Sequence, residues 1–242
     1  MLKNLLARIN QSYFDNKVSK SFENFYKKSQ SCEAYLHFCH EVQGQSYPVQ
    51  NNLSQTQYLD MISFLNEKEQ GSILDLGCGT GMLIKELSNR HKLSGIDIAF
   101  SSSELNITRC SYEELSLADN SLDVILAIDS LYMIKNKKKL FKKLKNALRP
   151  DATFEIHLTT LTSLENNDIY QATNDVFHHL TITDYTEQDI KLWVDAHNYL
   201  IQNKDKFQCE SCKVVYKTKL QEVQKNIKLK DQMKRFHIRA TK

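Results

Sequence analysis

"SILDLGCGTGM", residues 72–82, decides how the rest of the chain is read. Its first residues form a short apolar run. Gly77, Gly79 and Gly81 then follow at alternate positions, half of the six glycines in 242 residues. A strand that ends in a glycine-rich turn and runs into a helix is a nucleotide-binding arrangement. Glycine lets the backbone turn sharply and approach a ligand with no Cβ in the way. The helix start then offers free N–H groups and a positive dipole end. Spacing narrows the choice. A dinucleotide fingerprint needs a third glycine at position 82, which is Met82, and a triphosphate loop ends in Gly-Lys-Ser/Thr, which is absent.

Downstream of the loop, short apolar runs alternate with helical patterns. A helix is predicted over 82–89, a strand at "KLSGIDI" (92–98), a short strand at "NITRC" (106–110) and an apolar strand at "LDVILAID" (122–129). The lysine-rich "KNKKKLFKKLKNALRP" (135–150) reads as a helix stopped by Pro150, and "ATFEIHL" (152–158) as a fifth strand. Such alternation implies a mostly parallel sheet covered on both faces, an α/β doubly wound fold. Upstream, residues 1–70 read as helical and are interrupted at Pro48, with a helix near 54–66. Beyond 160 the polar stretch 159–184 reads as loop with short helical pieces. Residues 186–206 read as an amphipathic helix with Ile190, Trp193, Val194, His197, Leu200 and Ile201 on its apolar face, and "MKRFHIRAT" (233–241) as a last, edge strand. The predicted organisation is a helical lid (1–70), a binding core (71–160), and a lid insertion, helix and edge strand (161–242) completing the same domain.

Asp75-x-Gly77-x-Gly79-x-Gly81 resembles the first motif of the class I S-adenosylmethionine-dependent methyltransferases. Asp97 closes the second strand, where a carboxylate can accept bonds from ribose hydroxyls. "SYEELSLADNSLDVILAIDSLYMI" (111–134) and "LFKKLKNALRPDATFEI" (140–156) are similar to the regions that follow in that family. The resemblance covers about residues 70–160 and implies a Rossmann-like core that binds S-adenosylmethionine and releases S-adenosylhomocysteine. Position by position, it implies that Gly77, Cys78 and Gly79 pass under the methionine and ribose parts. Gly81 packs the helix start, and Asp75 fixes the loop and the amino group. Asp97 holds the ribose diol, Ile98 lies on the adenine, and Ala127 and Ile128 offer backbone carbonyls near the methionine end. Ser111 stands where the family often has an adenine-binding Asp, with the Tyr112 N–H beside it. A serine accepts that bond without the charge assistance of a carboxylate. A second departure lies between Asp97 and Ile107, too few residues for the usual crossover helix. A short turn or single helical turn is expected there, which leaves one side of the sheet either thinly covered or covered by another segment.

In an open α/β sheet the acceptor lies at the carboxyl ends of the strands. That places Asp129, Ser130 and Tyr132 after the fourth strand and His157 at the end of the fifth. His157, Asp129 and Tyr132 are the candidate bases for an oxygen or protonated nitrogen nucleophile. His178 and His179 could enter from the insertion. Tyr13, Phe14, Phe25 and Tyr26 are lid candidates. "AIDSLYM" differs from the Asn-Pro-Pro-Tyr-like motif of enzymes that methylate adenine or glutamine amide nitrogen, and no catalytic Pro-Cys pair is present. The layout resembles the small-molecule branch, with methyl transfer to nitrogen or oxygen. RNA or protein methylation and cofactor binding without turnover are the alternatives.

Composition fits a soluble globular protein, with 41% hydrophobic and 25% charged residues. No run of eighteen apolar residues exists, so no membrane span is expected. The net charge of +3 is too small to indicate nucleic acid as a partner. The lysines at 135–145 flank Leu140, Leu144 and Leu148 and read as a solvated helix face. The N-terminal Leu2, Leu5, Leu6 and Ile9 fit an amphipathic helix and could mimic an organelle presequence. Six irregularly spaced cysteines point to a reducing, cytoplasmic setting. Cys209-x-x-Cys212 has the spacing of half a zinc site. Cys32, His37, Cys39 and His40 could supply further ligands, but without a second Cys-x-x-Cys neither a bound metal nor a redox role is expected.

Overall fold

The computed structural model describes residues 2–68 and 70–242, with side chains described from Asn16 onward. The Tyr13 and Phe14 side chains, and those of the leucines before them, lie outside the described residues. The elements are α1 (Leu2–Gln30), α2 (Glu33–Gln43), α3 (Gln55–Glu67), β1 (Ser72–Leu76), α4 (Met82–Leu87), β2 (Lys92–Asp97), β3 (Ile107–Arg109), β4 (Leu122–Ile128), α5 (Lys137–Ala147), β5 (Leu148–Thr160), α6 (Asp168–Val176), β6 (His179–Asp184), α7 (Thr186–Gln202), α8 (Glu210–Leu229) and β7 (Lys234–Thr241).

Local chemistry sets several of these boundaries. The α3 start is a capping box: Ser54 Oγ accepts from Gln57 N, and the Gln57 side chain accepts from Ser54 N. Asn136 and Asn167 cap α5 and α6 through their side-chain oxygens. Gly44 ends α2 in the left-handed conformation.

Seven strands form one sheet in the order β3-β2-β1-β4-β5-β7-β6. All neighbouring pairs are parallel except those of β7, which runs antiparallel to both β5 and β6. The order reverses between β1 and β4, and this reversal opens a crevice at the carboxyl ends of the strands. One sheet face packs Ile125, Ala127, Phe154 and Ile156 against Phe141 of α5 and Phe177. The other packs Ile73, Val124 and Leu126 against Tyr58, Met61 and Leu65 of α3 and Ile84 of α4. A separate helical cluster joins Tyr35 and Phe38 of α2 to Trp193 of α7 and Val215 of α8.

The C-terminal strand is not the edge. Thr241–Lys234 pairs with Thr153–Thr160 on one side and with His179–Asp184 on the other, so β6 takes the edge. Its sequence, HLTITD, is largely exposed on both faces and lacks the apolar alternation that marks a half-buried strand. The helix over 210–229 was also not distinguished from its surroundings by composition. The apolar face of α7 is turned from its predicted setting. Leu192, Trp193, Ala196 and Leu200 are buried, whereas Val194 and Ile201 are exposed. In α5 most lysines are solvated, but Lys137 is buried. Its Nζ lies 2.8 Å from Asp168 and donates to the Ile134 carbonyl.

Between β2 and β3 the chain makes turns only, with a bridge between Ser102 and Ile107. Helix α1 lies against this connection. Ser19 Oγ donates to the Ile98 carbonyl at 2.9 Å, and Arg109 reaches both Ser19 Oγ and Glu23. An N-terminal element thus docks on the carboxyl ends of β2 and β3, beside the short crossover. Among the described residues, no helix is long and apolar enough to cross a membrane.

Candidate active site

A cavity of about 270 Å³ opens at the carboxyl ends of β1, β2 and β4. Its floor is the glycine loop. The N–H groups of Gly77 and Cys78 both donate to the Ile96 carbonyl, at 2.8 and 3.1 Å, which folds the loop back over β2. Gly77 has φ +75°, and a Cβ there would sit 2.5 Å from Ser130 Cβ and 2.9 Å from the Tyr112 hydroxyl. Gly81 caps α4 at φ +74°, with Ile107 Cδ1 2.2 Å from where its Cβ would be. It packs the helix start against β3 and does not line the cavity. Both positions need glycine for conformation and for space.

Asp97 organises the wall opposite. Its carboxylate accepts from Gly79 N (2.9 Å), Ala99 N (2.7 Å) and the Tyr26 hydroxyl (3.2 Å). A carboxylate has about four lone-pair sites, so about one acceptor site is left on a residue that lines the cavity. Burial pushes its pKa up, and the backbone N–H donors of Ala99 and Gly79 work against that. Asp75 lines the cavity beneath it. Burial, then the charge of Asp97, pushes Asp75 up to about 7. A cationic group arriving there would draw Asp75 into its ionised form.

Ile98, Ser111 and Tyr112 line the same space, as do Cys110 and Glu113. Ser111 Oγ donates to Glu114 at 3.1 Å within its own turn. The Tyr112 hydroxyl donates to the Ser130 carbonyl, tying the turn after β3 to the turn after β4. Ala127 is placed elsewhere. Its side chain is fully buried between Leu76 and Ile156 in the sheet ladders and faces α5, while Ile128, expected beside it, lines the cavity. Alternation along the strand accounts for the difference. Cys78 also lines the cavity, and its thiol packs over Gly95.

The turn after β4 carries Asp129, which has φ +52°. Its carboxylate is held by a forked pair from the fully buried Arg235 of β7, Nη1 to Oδ1 and Nη2 to Oδ2, the second at 3.2 Å. It also accepts from Asn52 N and from the Tyr132 hydroxyl, each at 3.0 Å. Tyr132 is exposed overall; its hydroxyl accepts from Thr159 N at 2.7 Å, and desolvation there, with the Asp129 charge beside it, raises its phenol above the usual range. Behind them Asp189, pushed up to about 6 by burial, accepts from Trp193 Nε1. Ser130 Oγ is buried and has no partner among the described residues.

His157 is not in this cavity. Three residues before the end of β5, it lines a second, polar cavity of about 190 Å³ with Gln57, Asp60, Thr181, Tyr185 and His237. Its ring stacks on His237 at 4.4 Å, and burial holds it well below the usual histidine range, so it is neutral there. Neither His178 nor His179 lines the cavity; both are exposed beside the β6 edge. Of the described lid candidates, Tyr26 lines the cavity, while Phe25 packs edge-on against Tyr35 in the helical cluster. The sequence reading missed Val18 and Phe22 of α1, the Tyr47–Asn51 segment, and Met133 and Ile134, which close the cavity with mostly apolar surface. It also missed Arg235. Among the described residues no cluster of His, Cys, Asp or Glu could hold a metal.

Residues 51–203 match the family model described as "Methyltransferase domain". A stretch of 114 residues is 25% identical to an O-methyltransferase of Pyrenophora dematioidea, covering 40% of this chain and 43% of that one. Among solved structures, phosphoethanolamine N-methyltransferase 2 of Haemonchus contortus, in complex with phosphomonomethylethanolamine and S-adenosylhomocysteine, superposes with a TM-score of 0.66. It shows 16% identity over 91% of this chain and 60% of that chain. The cyclopropane synthase MmaA2 of Mycobacterium tuberculosis superposes with a TM-score of 0.63 and 11% identity, over 90% and 98% of the two chains. The chain therefore spans less than two thirds of the first two relatives.

Proposed function

Because the chain belongs to the methyltransferase-domain family, with the class I fold, we propose that it transfers a methyl group from S-adenosylmethionine to a nitrogen or oxygen of a small molecule. The observation that carries this reading is Asp97. It sits at the end of β2 with its carboxylate fixed by Gly79 N and Ala99 N, facing a glycine floor that admits no side chain. The orphaned Ser130 hydroxyl and the uncommitted Asp75 carboxyl add polar partners to the same space.

The bound cofactor supplies an electrophilic methyl on a sulfonium. Asp97 would take a ribose hydroxyl at the acceptor site its present donors leave, and Asp75 would face the cationic methionine end. Ser111 and Tyr112 edge the adenine side, with Ile98 against the ring. Val18, Phe22 and Met133 line the space with apolar surface, and positioning carries much of the barrier reduction. Tyr132 is the polar group at the acceptor end. Its hydroxyl is oriented by Asp129 and Thr159, and its high pKa makes it a neutral hydrogen-bond partner that positions the acceptor. Asp129 is bound to Arg235, so it serves as the anchor of Tyr132.

The mostly apolar lid around a space of about 270 Å³ supports a small acceptor over a polymer. The lysines of α5 that pair with Asp168, Asp175 and backbone carbonyls support the same choice. Six free cysteines fit a cytoplasmic setting. The test is release of S-adenosylhomocysteine on incubation with S-adenosylmethionine and a panel of small amines, phenols, carboxylates and carbon nucleophiles. Turnover with an amine or hydroxyl acceptor supports the reading. Turnover confined to carbon acceptors, or to RNA or protein, would overturn the acceptor class.

A further inference from the structure

Outside the cavity lining, Cys209 and Cys212 stand at the start of α8, beside the cluster that holds Cys32. Cys209 occupies the N-cap of this 20-residue helix, with extended backbone (φ −66°, ψ 156°), and its Sγ accepts from Cys212 N at 3.0 Å. Oxygen side chains usually fill that position; here a sulfur does. Cys209 is exposed and Cys212, one turn later, is buried. Cys212 shares a buried cluster with Cys32, the N-cap of α2.

We propose that Cys209 and Cys212 form a thiol–disulfide exchange site, in which the exposed Cys209 reacts with a low-molecular-weight disulfide and the buried Cys212 resolves it. Three features argue for this pairing. A thiolate at an N-cap faces free N–H groups and the positive end of the helix dipole. Hydrogen bonds from the Cys212 thiol and backbone N–H hold Cys209 below the usual thiol range, while burial holds Cys212 above it. The exposed thiol is therefore the nucleophile, and the shielded one is kept protonated until it is needed. The geometry also permits closure. Residues three apart on a helix have Cβ atoms roughly 5–6 Å apart, and a disulfide needs about 3.5–4.5 Å. Because Cys209 is outside the helical backbone, rotation there can close the gap.

With glutathione disulfide as oxidant, the Cys209 thiolate attacks one sulfur. The glutathione S–S bond breaks and one glutathione thiolate leaves. Cys212 then loses its proton and attacks Cys209 Sγ, and the second glutathione leaves. The protein dithiol is oxidised by two electrons, and one glutathione disulfide becomes two thiols carrying the two protein protons. The intermediate is the mixed disulfide on Cys209.

Both cysteines fall between Lys206 and Lys213, in a single tryptic peptide, residues 207–213. The full chain is incubated with glutathione disulfide, quenched in acid, treated with N-ethylmaleimide, digested and weighed. The wild-type peptide is expected to lose two hydrogens and take no maleimide. Cys212→Ser is expected to accumulate one glutathione on residue 209, roughly tenfold faster than in the urea-unfolded chain. Cys209→Ser, which keeps a good helix cap and so keeps the fold, is expected to leave Cys212 unmodified. A wild-type peptide that keeps two alkylatable thiols would overturn the proposal. So would stable glutathionylation without the internal bond, or a cross-link between Cys32 and Cys212.

Discussion

Arg235 and Asp129 are joined by a forked ion pair in which the guanidinium is fully buried. They lie 106 positions apart in sequence, and the pair ties β7 to the turn after β4. Breaking a buried pair by removing one partner leaves an uncompensated charge, at a cost of about 3–5 kcal/mol. Arg235→Met is thus expected to lower unfolding stability by that order in urea titrations. Adding Asp129→Asn should recover part of the loss. Equal stability of the wild type and Arg235→Met would refute the anchoring role.

The Asp75 carboxyl gives a pH signature with a definite sign. Its folded pKa of about 7 lies above the unfolded value near 4. Protons are then bound more by the folded state, so the contribution of Asp75 to stability falls as pH rises from about 4 to 7. The Asp75→Asn variant is expected to gain relative to wild type across that window, by an amount on the order of a few kcal/mol. Other groups, including Asp189 with the same sign and Glu155 with the opposite one, cancel in the difference. A difference that stays flat from pH 4 to 7 would contradict the assignment.

Tyr132 and His157 should separate cleanly. Tyr132→Phe removes the hydroxyl at the acceptor end and is expected to lower kcat about tenfold or more, with cofactor affinity unchanged. His157→Gln alters a side chain in the other cavity and should keep kcat within a few-fold. The reverse ranking would move the chemistry to that cavity.

Gly77→Ala places a methyl 2.5 Å from Ser130 Cβ at a positive φ. Cofactor binding is expected to fall more than tenfold, because the cavity floor must move. A Gly44→Ala control, also at positive φ but outside the cavity, should lower stability with little effect on the binding of folded protein.

What the sequence made legible follows from range. The glycine loop, Asp97 and the apolar β4 are local patterns, and each was readable from its own neighbours. Tyr26 could be named as a lid aromatic, yet its contact with Asp97 spans 71 positions. Arg235 was illegible for the same reason. A charged residue in "MKRFHIRAT" reads as surface until its partner Asp129 is known. Strand β6 failed because HLTITD is exposed on both faces. His157 was read at a strand end, but β5 runs on to Thr160, and the neighbouring β7 and β6 enclose its ring with His237 in another cavity. The rotation of α7 arose because Val194 and Ile201 are apolar yet exposed, which composition alone does not separate from core.

The central claim is that Asp97 and the glycine floor form a sulfonium-nucleoside site. Isothermal titration of S-adenosylhomocysteine into wild type and Asp97→Ala, with far-UV circular dichroism to verify folding, tests it most directly. The expected result is one site per chain in the wild type and at least about tenfold weaker binding in the folded variant, as for loss of a charge-assisted hydrogen bond. No binding heat at millimolar ligand, or equal affinity in both proteins, would contradict it.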